Sequence, residues 1–506
     1  MSIPFLRVLF VGAGLIVFLA PLDAAKGDGK EQKKGEDKKS KPDYATIFES
    51  PTIHSFTITL TAADWDKMLP REPQRDQPGR PPGPLELDFE YVHATVHFGD
   101  EVYRDVGLRF KGHSSFRGAG PESLRKPYKM DFDRFVDTQS FHGFKKLNFS
   151  NAFKDPSLLR EKLAYDLFAK AGVAASRAAF AKIFLTVEGR FENEYAGLYT
   201  MVEQVDTVLL KDRFDQSKGL LVKVETVEDL PYRGDDGSFY KRDFELERGD
   251  TSDAATLIRF LKFLHQASDE QFAAKIEQRL NVEGFLALLA VNTLLSNLDS
   301  YAGTGHNFYL YHNPTTKRFE LIPWDLNEAF GNFAMGSPDE MMDLDIYRPF
   351  AGKRVLIERL LKIEKHRERY RAILKQLLAD AYDPDRMCSE MDRLHALIRT
   401  DVLADTRKSY SNDEFERSLN ENIGGAGPFP AAPPRFAPGA PPPGGPPGFV
   451  AIGLKPFVRQ RVESVGDQLA FKRRGYMIFR WGGPPGPRPP RPPGPPDFFP
   501  GPGDKK

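Results

Sequence analysis

The sequence predicts an α+β fold in two lobes, and three features predict it. Segments that alternate apolar and polar residues dominate the first part of the folded chain. Segments with helical spacing dominate the second, and no strand–helix–strand alternation of the parallel-sheet kind runs through either. The chain has 506 residues, 40% hydrophobic and 12% aromatic, enough to bury a large core.

Taken in order, Ser55–Leu60 alternates as a strand, and Thr61–Leu69 opens with a helix-capping threonine. Tyr91–Phe98 and Val106–Phe110 read as strands, followed by a loop over Lys111–Gly118. Tyr128–Phe132 alternates again. Asp155–Gly172 is the clearest helix, with Leu158, Leu159, Leu163, Leu167 and Phe168 at helical spacing and Gly172 where a C-cap belongs. Ile183–Val187 and Tyr195–Val202 predict a hairpin, and Leu220–Val224 a further strand. The pattern is helical from Ala254 to Asn297, then strand-like at Phe308–Tyr311 and Phe319–Pro323. Val355–Ala381 and Asp385–Thr406 are two more helices.

The ends of the chain have a different composition. Arg7 precedes thirteen apolar residues, Val8–Ala20, with small residues at Ala24 and Ala25, so residues 1–24 read as a cleaved secretory signal. As a helix that run rises only about 20 Å, too short to span a bilayer. No later run is long and apolar enough to span one, and the mature chain is expected to be secreted, periplasmic or at the cell surface. Residues 25–42 are charged and predict a disordered spacer. Residues 427–448 and 483–506 are Pro-rich, and the tracts Pro428–Gly448 and Pro484–Gly503 together take 21 of the 41 prolines; both predict disorder. A third Pro-rich patch, Pro70–Pro84, predicts a surface loop. The folded part is then 43–426, strand-rich to about 225 and helical from about 226, with 449–482 returning onto it. Equal numbers of basic and acidic side chains, 71 each, argue against a nucleic-acid binder. A single cysteine, Cys388, excludes a disulfide framework and a cysteine zinc cluster.

Three clusters carry candidate chemistry. Lys111-Gly112-His-Ser114-Ser115 with Lys126-Pro-Tyr-Lys129 joins a small-residue turn to a basic strand, an arrangement suited to phosphate or to a plain surface turn. Glu161 lies beside the buried stripe of the strong helix and needs a cation if buried, Lys129 being the candidate; otherwise it is a solvated helix Glu. Asp299, Asn307 and Asp325 bracket a hairpin, where two oxygen ligands on adjacent strand ends can hold Mg²⁺ or Mn²⁺ and a third carboxylate can orient a hydroxyl. Acidic residues in ordinary turns would look the same. His306 and His312 do not have the spacing of a zinc site.

Together these motifs resemble the spore coat protein H (CotH) family of atypical, secretory-pathway-like kinases, from about Phe48 to Leu469. The most specific segments are Lys111-Gly-His-Ser-Ser with Lys126-Pro-Tyr-Lys129, and Leu159-Arg-Glu-Lys-Leu-Ala-Tyr-Asp-Leu-Phe168. Gly197-Leu-Tyr-Thr-Met-Val-Glu203 and Asn307-Phe-Tyr-Leu-Tyr with Pro323-Trp-Asp325 complete the set. The resemblance implies a reduced, two-lobed protein-kinase-like fold, ATP, a divalent metal, and transfer to Ser or Thr of an exported protein. It implies Lys129 on the α/β phosphates with Glu161 positioning it, and Lys111, Gly112, Ser114 and Ser115 around the nucleotide. Asp299 would be the catalytic carboxylate, Asn307 and Asp325 the metal ligands, and Glu203 a neighbour of the nucleobase. One departure stands out: the family's P-W-D-x-D reads here Pro323-Trp-Asp325-Leu-Asn327. That substitution, and the scarcity of ATP outside the cytoplasm, keep open a catalytically weak or inactive kinase-like surface module. Transfer of AMP, or activation of a glutamate, is a third reading.

Overall fold

Alternation in the first half closes a barrel. In the computed structural model, which describes residues 41–70, 87–120, 123–226, 229–424 and 449–478, seven strands form it: β1 (His54–Leu60), β2 (Val92–Phe98), β3 (Glu101–Phe110), β4 (Tyr128–Asp131), β5 (Lys146–Ser150), β6 (Ala178–Val187) and β7 (Phe191–Glu203). Their order is β1-β2-β3-β4-β5-β7-β6, and β6 returns parallel to β1 to close the ring, which removes free sheet edges. The inward residues are the apolar ones of each alternation, among them Phe56, Ile58, Leu108, Phe110, Met130, Phe149, Ile183 and Met201, all buried. The export signal, most of the charged spacer, most of the Pro70–Pro84 patch and both C-terminal Pro-rich tracts lie outside the described residues.

Three helices accompany the barrel: α1 (Ala62–Met68), α2 (Ser114–Gly118) and α3 (Arg160–Lys170). Thr61 caps α1 as expected, its hydroxyl accepting from the Asp64 amide at 3.1 Å. The strong helix starts five residues later than its pattern suggests. The Asp155 carboxylate accepts from the Ser157 and Arg160 amides at 3.0 and 2.8 Å, and Leu158 takes a left-handed backbone with φ 58°. A carboxylate that binds both amides makes a turn there and begins the helix only after it.

The rest of the described chain holds α4 (Thr207–Phe214), β8 (Leu220–Val224), β9 (Phe244–Arg248), α5 (Thr251–Gln266), α6 (Asp269–Lys275), α7 (Val282–Leu294), β10 (Phe308–Asn313) and β11 (Arg318–Pro323). These are followed by α8 (Pro338–Met342), α9 (Val355–Lys362), α10 (Glu364–Ala379), α11 (Pro384–Ala404), α12 (Asn412–Arg417), β12 (Ile423–Gly424), β13 (Val450–Ala451) and α13 (Leu454–Leu469). A second sheet, ordered β11-β10-β8-β9, is antiparallel throughout. From Phe285 onward the α7 helix is buried on every face, which explains the apolar run Phe285–Val291. The helix expected over 355–381 is two helices, because Ile363 is extended with ψ 116°.

The α+β class is therefore observed, with a closed barrel and a separate four-stranded sheet. Among the described residues there are two large hydrophobic cores, one inside the barrel and a larger one outside it, and a small third cluster of Tyr410, Ile423 and Ala451. Helix α3 and the outward residues Phe180, Leu198 and Val202 of β6 and β7 belong to the second core, and β8 pairs with β9 and β10 rather than with the barrel.

A buried ion pair fastens the barrel to the end of α11. Arg125 pairs with Asp405 and also donates to the carbonyls of Asn151 at 3.1 Å and Leu198 at 2.8 Å, both partners being almost without exposure. Replacing Arg125 by Ala leaves the Asp405 carboxylate buried and unpaired, so we expect a loss of about 3–5 kcal/mol in chemical denaturation. The paired change Arg125→Met with Asp405→Leu should recover most of it.

Candidate active site

Four chain segments converge beside the barrel mouth: the exit of β3, the first turn of α3, the loop before β10 and the turn after β11. Register explains the last two. Phe308 lies opposite Pro323, so Asn307 and Trp324 end the hairpin side by side, with the Trp324 amide donating to the Asn307 carbonyl at 3.0 Å. Asn307 and Asp325 then both turn through left-handed backbone, φ 61° and 57°. Asn and Asp accept that conformation at lower cost than branched residues do, which is one reason they occupy these positions. The Asn307 side-chain amide donates to the Asp299 carbonyl at 3.0 Å, which leaves its amide oxygen as the remaining acceptor. Asp299 accepts from the Thr304 hydroxyl at 3.2 Å and lies 3.3 Å from His306 Nε2. Burial lowers the His306 pKa, but the bond and charge of Asp299 outweigh it and hold the ring above its ordinary value.

The charged centre is Lys111. It follows the end of β3, where the charges of Asp325 and then Glu161 act on it without a direct ion pair, and its ammonium is 5.3 Å from the Trp324 ring centre. Burial lowers its pKa, against the pull of both acids. Burial, then the charge of Asp325, raises Glu161, opposed by Lys111 and by a bond from Ser150. Asp325 is raised by burial, opposed by Lys111 and pushed further by Asp299. One lysine thus serves several crowded carboxylates.

The sequence pattern of the family described as "CotH kinase protein" matches residues 108–423, well over half of the chain and all of these segments. The chain belongs to the CotH kinase family. It is also 27% identical over 307 residues to "Inner spore coat protein H" of Bacillus subtilis (strain 168), a match that covers 60% of this chain and 81% of the relative.

Set beside the expectations drawn from the CotH resemblance, the geometry bears on three assignments. Lys129 does not meet Glu161. It lies opposite Arg109 in the β3–β4 register, and its charged neighbours are Arg109, Glu247, Lys146 and Lys111; burial and then Arg109 bring its pKa down to about 7. The Glu161 partner is Lys111. The segment after Lys111 is no open phosphate loop: the Lys111 amide donates to the Pro127 carbonyl at 3.1 Å, and Ser114 and Ser115 lie in the short helix α2. Gly112 keeps a left-handed φ of 72°, where a Cβ would strike the Ser115 hydroxyl. Finally, Glu203 has a protein partner that the expectation lacked, its Oε2 accepting from the Arg177 amide at 3.0 Å and guanidinium at 3.4 Å.

Three neighbours went unread in the sequence. Lys223, on the polar phase of β8, adds its charge to Asp325. Glu328 follows Asn327 directly and is buried, pairing with Lys154 at 2.8 Å and accepting from Asn332 at 3.3 Å. His306 was set aside as a zinc ligand, although its proximity to Asn307 was the signal that it shares the site. Among the described residues no group of three His, Cys, Asp or Glu side chains could hold a metal by itself. The donors present are nevertheless hard oxygens: the Asp325 carboxylate, crowded by Asp299, and the Asn307 amide oxygen. That set fits Mg²⁺ or Mn²⁺ completed by phosphate oxygens and water.

Glu203 offers a pH test of burial. For Arg177 the pair is favourable and raises the guanidinium pKa. For Glu203 burial prevails and pushes the carboxyl up to about 7, in keeping with one oxygen, Oε1, that finds no partner. A carboxyl raised on folding contributes stability that is complete below its unfolded value and is lost as pH rises through the folded one. Glu203→Gln should therefore gain stability relative to the parent between about pH 5 and about pH 8, on the order of 2 kcal/mol. Urea titrations at the two pH values measure it.

Proposed function

We propose that this chain is a metal-dependent kinase that transfers the γ-phosphoryl group of ATP to Ser or Thr of an exported protein. The observation that carries the reading is the charge of Lys111 acting on both Glu161 and Asp325, with Asn307 on the neighbouring strand end and its side-chain amide bonded to the Asp299 carbonyl. In this assignment Glu161 orients Lys111 toward phosphate, and Asp325 and Asn307 hold Mg²⁺ or Mn²⁺. The metal, when bound, neutralises charge on the phosphate oxygens. Asp299 accepts the proton of the acceptor hydroxyl, and His306 and Thr304 fix the carboxylate for that role. Lys129 and Arg109, opposed across β3 and β4, present two cations to the nucleotide phosphates farther along the same barrel face. Gly112, Ser114 and Ser115 then act as packing at the site edge rather than as a cradle.

The name of the Bacillus relative favours a coat or surface location, and the signal-like start of the sequence favours export. Among the described residues no helix is long and apolar enough to cross a membrane. A second reading, a weak or inactive kinase-like interaction module, is favoured by Asn327 where the family carries an acid.

Transfer of γ-labelled phosphate from ATP to protein in the presence of Mg²⁺ or Mn²⁺ separates these readings. Transfer that falls by 10²-fold or more in Asp299→Ala supports the kinase. Incorporation of label into protein from α-labelled but not γ-labelled ATP, with pyrophosphate leaving, would instead indicate nucleotidyl transfer, and metal-independent or absent ATP binding would favour the interaction module. Asp325→Ala is expected to abolish metal-dependent ATP binding in calorimetry. Lys111→Ala and Glu161→Ala should couple by about 0.5–3 kcal/mol in a double-mutant cycle on ATP affinity, whereas Lys129→Ala and Glu161→Ala should be additive.

A further inference from the structure

The loop from Asp299 to Asn307 is held from within and from outside. Inside, Thr304 donates to the Leu298 carbonyl at 2.9 Å and Gly305 to the Ser300 carbonyl at 2.9 Å, and a Cβ at Gly303 would run into the Leu298 backbone. Outside, the segment that leads into α9 crosses the middle of this loop. The Ala351 amide donates to the Ala302 carbonyl at 2.9 Å. Arg354, buried, donates through Nε to the Tyr301 carbonyl at 2.6 Å and through Nη2 to the Gly303 carbonyl. The Tyr301 hydroxyl donates to Asp229 at 2.8 Å and accepts from the Leu356 amide at 3.3 Å. The other Asp229 oxygen caps α9 by accepting from the Val355 amide at 2.6 Å.

Arg354 stands at the N-cap position of α9, yet its side chain does not cap the helix. Its guanidinium is directed to two loop carbonyls, and a planar fork holds two carbonyls at a fixed separation in a way an ammonium does not. Neither Asp299 nor Asn307 receives a bond from the strap, so whatever it sets at those residues passes through the loop. We propose that Arg354 is a positioning residue which, with Tyr301 and Asp229, fixes the loop that spaces the proton-accepting carboxylate of Asp299 from the metal-binding amide of Asn307. This rests on the kinase reading. Phosphoryl transfer depends on such spacing, because misplacement of a reacting group by about 1 Å can cost about 10²-fold in rate.

The test uses the full chain with Arg354→Lys, which keeps the charge and loses the fork, and Tyr301→Phe, which loses only the hydroxyl. ATP affinity with Mg²⁺, turnover, and amide hydrogen exchange at Thr304 and Gly305 are measured for each. We expect Arg354→Lys to bind ATP within twofold of the parent while kcat falls at least tenfold. Tyr301→Phe should show a smaller fall of the same kind. Protection of the Thr304 and Gly305 amides should drop at least tenfold in Arg354→Lys, with the barrel strands unchanged. An unchanged kcat in both variants overturns the inference. So does a parallel loss of affinity, turnover and barrel protection, which would mark a general structural role. If the parent itself transfers no phosphate, the kinase reading fails separately, and undiminished protection at Thr304 and Gly305 in Arg354→Lys would overturn the anchoring on its own.

Discussion

Arg160 has no exposure to water, and most of the site hangs on it. Its guanidinium pairs with Asp155 at 3.3 Å and donates to the carbonyls of Ala329 and Phe330, at 3.4 and 3.2 Å, and to that of Ile452. Each contact belongs to a different part of the chain. Asp155 makes the turn that starts α3, residues 329 and 330 follow Asp325, and Ile452 opens the returning C-terminal segment. A buried guanidinium is costly unless it is paired and its donors are largely filled, so the meeting of the three segments stabilises each of them there, although Nε has only the charge of Asp155 and no hydrogen bond. Because Glu161 is the next residue, the same clamp sets where the Lys111 partner points.

That arrangement tolerates unfavourable local chemistry at the site. Asn307, Asp325 and Phe330 all adopt left-handed backbone, at φ 61°, 57° and 60°. Non-glycine residues in that region cost on the order of 1–3 kcal/mol each, and they persist where surrounding structure determines them. Here Arg160 holds the Phe330 carbonyl, and the Gly331 amide donates to the Leu295 carbonyl at 3.0 Å. The carboxylates are crowded as well. Burial raises Glu161, Asp325 and Glu328, and Asp325 raises Glu161 further. A fold that places acids together in this way gains most from a bound cation, which would relieve repulsion that protein contacts leave in place.

Much of this was legible in the sequence, for reasons that differ by residue. Alternation located β1 and β2 because each buries one face in the barrel, whereas β8 and the β10–β11 hairpin were legible as short apolar runs buried on both faces. The strand β5, Lys-Leu-Asn-Phe-Ser, was missed because five residues with a buried Asn carry too short a pattern; Asn148 is satisfied by Gln204 at 3.0 Å, a contact 56 residues away. The motif Asp299, Asn307, Asp325 was legible because a hairpin brings its members together locally. The electrostatic coupling of Lys111 to Glu161 was not. Both Lys111 and Lys129 lie on the same barrel face, and only the β3–β4 register, which sets Lys129 against Arg109, decides which lysine reaches α3. The Glu203–Arg177 pairing was illegible for a similar reason, since Arg177 comes from just before the neighbouring strand.

The Asn at 327 takes on a different meaning once Glu328 is placed. Glu328 is buried beside Asp299 and Asp325, and its charge adds to theirs. Lys154 neutralises it at 2.8 Å, and Lys154 in turn lies over the rings of Phe333 and Phe449. An acid at 327 would be a further carboxylate within a turn that already carries Asp325 and Glu328, with Lys111 and Lys154 as the cations against them. Like charges at such spacing raise one another, so a fourth carboxylate would be held partly protonated or would need a second cation. An amide keeps a hard oxygen donor at the same place without that repulsion. If the site takes a metal ion as proposed, Asn327 would weaken the attraction for a second ion more than it would weaken the site around Asp325, on which the charges of Lys111 and Asp299 both act.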